Sequence, residues 1–214
     1  MSSSSMTRDE FFDQWSALHG GAEIRGIVRA WLRISYAICR GLSLVRVTPN
    51  GLTYISLIFA GFYLYFINSH WAIAFLVLSL MADGLDGTLA IITNRVSRWG
   101  ATLDSVVDRV VEAIWAIGLF NLGAPWQFVL VAWLAAFAQE YMRARAGGLG
   151  IHEIGVVTIS ERPVRATFVF IALVGRVVEL DVTSVVAGIW MAMQLFSVFT
   201  VLRVLRPLLQ QSPR

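Results

Sequence analysis

The chain has 214 residues, 57% of them hydrophobic and 14% charged, with a formal net charge of +3 at pH 7. Its mean hydropathy is +0.68, and soluble domains carry about 25% charged residues, so the composition excludes an ordinary soluble core and implies a surface that faces lipid. The one cysteine, Cys39, excludes an intramolecular disulfide and has no metal-site spacing around it. All 17 basic residues are arginine, which excludes a lysine Schiff base or a P-loop lysine, and no nucleic-acid partner is expected.

In chain order, residues 1–8 are polar and are expected to be disordered, and no apolar run follows that would make them a signal peptide. From Thr7 to about Leu44 the pattern is amphipathic, with Phe11, Phe12, Trp15 and Leu18, then Ile24, Ile27, Val28, Trp31 and Leu32, at helical spacing. Arg25, Arg29, Arg33 and Arg40 interleave with the second set. This predicts an interfacial helix, apolar side toward the bilayer and Arg side toward anionic headgroups. Residues 1–46 are therefore set apart from a six-helix region at 47–214.

Thr48-Pro49-Asn50 punctuates the chain, and proline suits a first helical turn. Apolar runs predict transmembrane helices at roughly 51–68, 71–92, 101–122, 126–146, 164–180 and 182–203. Arg95 and Arg98 fall between the second and third, Arg143, Arg145, Arg162 and Arg165 around the connection between the fourth and fifth, and Arg203, Arg206 and Arg214 near the end. The connections around Asn68–His70 and Asn121–Trp126 contain no arginine. The predicted fold is an all-α membrane protein of six transmembrane helices, multi-pass in the cell membrane, with both termini cytoplasmic.

Inside these apolar helices lie carboxylates. Asp83 and Asp86 are three residues apart and Asp104 and Asp108 four apart, so each pair shares a helix face. A charge at the centre of a transmembrane helix costs roughly 2.5–3.5 kcal/mol on insertion scales. Arg109 is the basic residue within the two helices and leaves its helix about 100° from Asp108. Divalent cations would offset the cluster, and an all-oxygen donor set favours Mg²⁺, Mn²⁺ or Ca²⁺ over zinc. Glu112 lies one turn beyond Asp108 and is expected to pair with Arg109.

These residues resemble the signature of the CDP-alcohol phosphotransferase family, D-x2-D-G-x2-A-R-x8-G-x3-D-x3-D. Asp83, Asp86, Gly87, Ala90, Gly100, Asp104 and Asp108 match it, seven of eight fixed positions across 26 residues. Thr48-Pro49-Asn50-Gly51-Leu52-Thr53 resembles the start of the family's first transmembrane helix. The resemblance implies a six-helix, usually dimeric membrane enzyme that transfers a substituted phosphate from a CDP-alcohol, such as CDP-diacylglycerol, to a hydroxyl acceptor and releases CMP. It implies two ions per site, Mg²⁺ or Mn²⁺, held by Asp83, Asp86 and Asp104, with Asp108 as a further ligand or as general base. It places Asn50, Gly87, Ala90 and Gly100 with the CDP-alcohol. Ile91 stands where the family has an arginine that helps hold the diphosphate, and Arg95, one helical turn further, or Arg98 in the loop is expected to take its place; restoring arginine at position 91 is then expected to be neutral or helpful.

Tyr141-Met142-Arg143-Ala144-Arg145-Ala146 and Glu161-Arg162-Pro163 resemble segments of actinobacterial phosphatidylinositol phosphate synthases. The resemblance implies that Arg143, Arg162 and Arg203 (or Arg206) receive a phosphorylated polyol such as inositol phosphate. Glycerol 3-phosphate, serine or a free polyol stays open as acceptor, and so do a catalytically impaired relative and an ion or proton transporter that uses the same carboxylates.

Overall fold

The computed structural model describes residues 6–18, 20–151 and 157–211; the tail at 1–5 and part of the 147–160 connection lie outside them. Among the described residues, the regular structure is helical: α1 (Arg8–Leu18), α2 (Gly26–Leu44), α3 (Pro49–Tyr65), α4 (Trp71–Ile92), α5 (Arg98–Asn121), α6 (Trp126–Gly148), α7 (Arg162–Val177) and α8 (Thr183–Gln211). The last six lie within about three residues of the predicted runs, except that α8 continues to Gln211, beyond the predicted end at 203.

Polar side chains set where these helices start. Thr7 and Glu10 form a capping box on α1, the Glu10 N–H donating to Thr7 Oγ1 at 3.3 Å and the Thr7 N–H to Glu10 Oε2 at 2.7 Å. Thr48 Oγ1 accepts the Gly51 N–H at 3.1 Å at the start of α3, and Ser97 Oγ accepts the Gly100 N–H at 3.0 Å at the start of α5. Left-handed residues end others. After α4, Asn94 takes φ +53°, its N–H donating to Ile91 O and that of Arg95 to Ala90 O, the paired bonds of a Schellman motif.

Two of these boundaries change the sequence reading. The amphipathic stretch from Thr7 to Leu44 is two helices, because Gly20 and Gly21 both have positive φ, +67° and +80°, and end α1. Arg95 is not on a further turn of α4, because the helix stops at Ile92 and the Asn94 turn carries Arg95 into the connection. Arg98 is the first residue of α5 rather than part of a loop.

Two helices among the described residues, Trp71–Ile92 and Thr183–Gln210, are long and apolar enough to cross a membrane. α3 and α7 are shorter, at 17 and 16 residues, and α5 and α6 carry charged residues inside the helix. Helix length and apolarity alone therefore do not establish six spans.

The chain forms two compact units, one of residues 1–60 and 75–111 and the other of 61–74 and 112–214. In the first, α2 packs on its neighbours through a buried face. Leu32 and Tyr36 join Phe11 of α1 and Ile91 of α4 in one apolar cluster. Cys39 joins Leu52 of α3 and Leu85 and Leu89 of α4 in a second. The Trp31 ring covers Gly84 so closely that a Cβ there would lie 2.8 Å from it. In the second unit α8 packs on α6 and α7, and Tyr63 lies directly over Gly118, where any side chain would overlap the phenol ring.

Ile91, 4% exposed, is thus part of the core that seats α1 and α2. The sequence expectation for arginine at this position is revised on that ground. Burying a guanidinium among Phe11, Leu32 and Tyr36 without a partner costs roughly 2–4 kcal/mol. Ile91→Arg is therefore expected to lower the thermal unfolding midpoint of the purified protein, whereas Ile91→Leu should leave it nearly unchanged.

Candidate active site

α4 presents Asp83 and Asp86 and α5 presents Asp104 and Asp108. Asp83, Asp104 and Asp108 each bring one carboxylate oxygen within 4.8 Å of the other two, and all three are partly exposed. Asp86 sits on the next part of α4 and is 8% exposed. Its Oδ2 accepts a hydrogen bond from Thr53 Oγ1 of α3 at 2.6 Å. A charge-assisted bond of that length is among the stronger kinds, and it fixes Asp86 against α3.

The donor set suits a hard divalent cation. Metal–oxygen distances of about 2.0–2.6 Å put ligand oxygens on opposite sides of one ion about 4–5 Å apart, which the three-carboxylate spacing matches. Asp108 also meets Arg109, Nη2 to Oδ2 at 3.6 Å. The sequence reading had this arginine directed away. The 100° between neighbouring Cα–Cβ bonds separates their roots, but the long arginine stem lets the guanidinium reach back.

The glycines of the site differ in what surrounds them. Gly87 is exposed, and a Cβ there would meet nothing within 4 Å. At Gly100 a Cβ would lie 3.1 Å from Ser97 Oγ and 3.3 Å from Asn50 Oδ1. The start of α3 and the start of α5 therefore meet through Asn50 and Gly100. Ala90 is half-buried on α4, and Arg95 and Arg98 are exposed.

In the second unit the arginines are engaged by carboxylates. Arg143 of α6 forms a bidentate pair with Glu161, Nη2 to Oε1 at 2.7 Å and Nη1 to Oε2 at 3.0 Å, and meets Glu140 at 3.4 Å. The Thr158 N–H and hydroxyl also donate to Glu161 Oε1, at 2.7 and 2.8 Å. Burial pushes the Glu161 carboxyl up, but the bonds from Arg143 and Thr158 outweigh it and hold its pKa down at about 2. Arg162 stacks over the Trp115 ring at 5.5 Å, and Arg203 is exposed on α8.

The sequence reading missed the residue at the centre of this network. Arg165 is fully buried. It donates from Nη1 to Glu112 at 2.7 Å, from Nη2 to Glu140 at 3.0 Å and from Nε to the Ser160 carbonyl at 2.9 Å. Glu112 is thus held by an arginine from a helix far along the chain. Beside it, Gln139 and Gln194 bond each other at 2.8 Å, and Ser160 donates to Gln194 at 2.7 Å. In the sequence Arg165 reads as one more charge at a membrane edge; its three-residue offset from Arg162 and the buried glutamate were the available signals.

The family model described as CDP-alcohol phosphatidyltransferase matches residues 46–202. An archaetidylinositol phosphate synthase of Pyrococcus horikoshii is 32% identical over 160 residues, 72% of this chain and 83% of the relative. A phosphatidylinositol phosphate synthase of Cutibacterium acnes is 30% identical over 144 residues, 62% of this chain and 70% of the relative. Among solved structures, the phosphatidylinositol phosphate synthase of Mycobacterium tuberculosis with CDP-DAG bound is similar with a TM-score of 0.67 at 23% identity, covering 80% of this chain and 92% of that one, a likeness of fold. With the family model spanning most of the chain and the carboxylates of its signature gathered between α4 and α5, the protein belongs to the CDP-alcohol phosphatidyltransferase family and is a phosphotransferase.

Proposed function

We propose that the enzyme transfers the phosphatidyl group of CDP-diacylglycerol to the hydroxyl of a phosphorylated polyol, inositol phosphate first and glycerol 3-phosphate second, and releases CMP. The observation that carries this reading is the convergence of Asp83, Asp104 and Asp108. The relatives named as archaetidylinositol phosphate and phosphatidylinositol phosphate synthases supply the choice of acceptor.

In this reading the acceptor oxygen attacks the lipid-bearing phosphorus in line, and the bond from that phosphorus to the CMP oxygen breaks with its electron pair leaving on CMP. Asp108 takes the hydroxyl proton or helps hold a cation, and Asp83, Asp86 and Asp104 are the remaining ligands. Two Mg²⁺ or Mn²⁺ ions held there would supply charge stabilisation to the attacking and leaving oxygens. Thr53 keeps Asp86 oriented through its 2.6 Å bond. Gly87 leaves backbone open to phosphates, Gly100 lets the start of α5 approach Asn50 closely, and Asn50 contacts the nucleotide with Ala90. Arg95 and Arg98, both exposed after α4, hold the diphosphate in place of an arginine at position 91.

The topology that suits this chemistry is six spans, α3 to α8, over residues 47–214, with the carboxylates toward the cytoplasmic side and both termini cytoplasmic. It is supported by the arginine-free connections at 68–70 and 121–126. A homodimer is proposed on the family resemblance.

A second reading, transfer to an uncharged alcohol, is favoured by one observation: the guanidinium of Arg143 is already bound bidentately by Glu161. The two readings separate on a panel of phosphorylated and free alcohols scored by product mass. We expect a phosphorylated acceptor to react fastest, and a faster reaction with free inositol or serine would replace the first reading by the second.

Asp83→Asn and Asp104→Asn should each lower CMP release at saturating Mg²⁺ by roughly two orders of magnitude or more. Each should hold or raise the unfolding midpoint in chelator, because a like charge is removed. Near-normal turnover in either variant would end its assignment as a ligand.

Arg162→Ala should raise the acceptor KM by about tenfold or more, the loss of one charge-assisted bond, and leave the CDP-lipid KM within about twofold. Alanine at Arg95 and Arg98 together should do the reverse. Wild-type kinetics in that double variant would mean that the diphosphate is held elsewhere.

A further inference from the structure

Between the start of α1 and α2 lies an open cleft of about 620 Å³, lined by none of the residues assigned to catalysis. Its walls carry Arg8 from the first turn of α1 and Arg33 and Arg40 from α2. Arg33 and Arg40 are seven residues apart, two turns on one face of the helix. Tyr36, between them and 8% exposed, donates its hydroxyl to the Met6 carbonyl at 2.8 Å and ties the two walls together.

Among the described residues no carboxylate lines this cleft. Asp9 meets Arg8 at 3.9 Å, both side chains largely exposed, and Glu10 is committed to the capping box with Thr7. Among the described residues Arg33 and Arg40 form no ion pair. Three guanidinium groups around one concavity repel one another and offer forked donors to a tetrahedral anion. A volume of this size lies in the range of small-molecule sites.

We propose that this cleft is a binding site for a phosphate-type anion, presented as the headgroup of an acidic membrane lipid. The lipid source is argued from the other side of the same helix. Ile27 is 86% exposed and Ile34, two turns on, 54% exposed, an uncovered apolar strip that the half-covered Trp31 borders. A helix with such a strip opposite its arginines lies in the membrane interface with the arginines at headgroup depth. Specific lipid capture there would seat α2, whose inner face packs on α4 through Leu32, Tyr36 and Trp31.

The test uses the full-length protein in neutral detergent, titrated with short-chain phosphatidylglycerol, short-chain phosphatidylcholine or inorganic phosphate, with the unfolding midpoint as readout. Phosphatidylglycerol should give a saturable upward shift, phosphatidylcholine none, and inorganic phosphate the same shift only at about tenfold higher concentration or more. Arg33→Gln/Arg40→Gln should raise the half-saturating lipid concentration by roughly tenfold or more, and Arg8→Gln, from the opposite wall, should raise it as well. Arg25→Gln/Arg29→Gln removes the same charge from the same region outside the cleft and should change it by less than about twofold. Equal loss in the two double variants would show diffuse attraction and overturn the site. A phosphate response as tight as the lipid response would overturn the assignment to a lipid headgroup.

Discussion

Four aspartates on two apolar helices set the conditions for the rest of this molecule. Like charges held a few ångströms apart repel, and removal from water makes the repulsion worse. Three of them nevertheless converge, Asp83, Asp104 and Asp108, while the fourth is bound by the Thr53 hydroxyl. An arrangement of this kind is stable where hard cations bind it, and it then provides the charge density that phosphoryl transfer needs.

The second unit solves the opposite problem. Its fully buried charges, Arg165 and Glu112, are paired with each other, and the partly exposed Glu140, Arg143 and Glu161 continue the network. Removing one partner of a buried pair leaves an uncompensated charge and costs about 3–5 kcal/mol, so this network fixes α5, α6 and α7 to one another where they carry it. The glutamine pair and Ser160 extend it with neutral bonds. The first unit gathers three carboxylates that could hold a metal ion, whereas in the second unit glutamates hold arginines in place.

Ile91 connects the departure from the family signature to the amino-terminal helices. An isoleucine there lets Phe11, Leu32 and Tyr36 close over α4. Gly84, which is not a signature position, lets the Trp31 ring do the same two turns earlier on that face. Both contacts seat α2 on the helix that carries half of the carboxylates.

The sequence by itself determined the class, the helices and the carboxylates. Long apolar runs, proline and glycine punctuation and three- and four-residue spacings are local properties, and they are legible because a helix converts spacing into a shared face. That is why α3 to α8 fall near the predicted limits, and why Asp83, Asp86, Asp104 and Asp108 could be named at once. Only the tertiary structure decided the partners. The break at Gly20–Gly21, the Asn94 turn that moves Arg95 off α4, and the reach of Arg109 back to Asp108 depend on backbone angles and side-chain length that periodicity does not encode. The Arg165–Glu112 pair joins residues 53 positions apart, and the Arg143–Glu161 pair removes from view an arginine that the sequence offers as exposed charge. A carboxylate's neighbours along the chain fix its face, but its counter-charge comes from whichever helix packs against that face, and packing is a property of the whole fold.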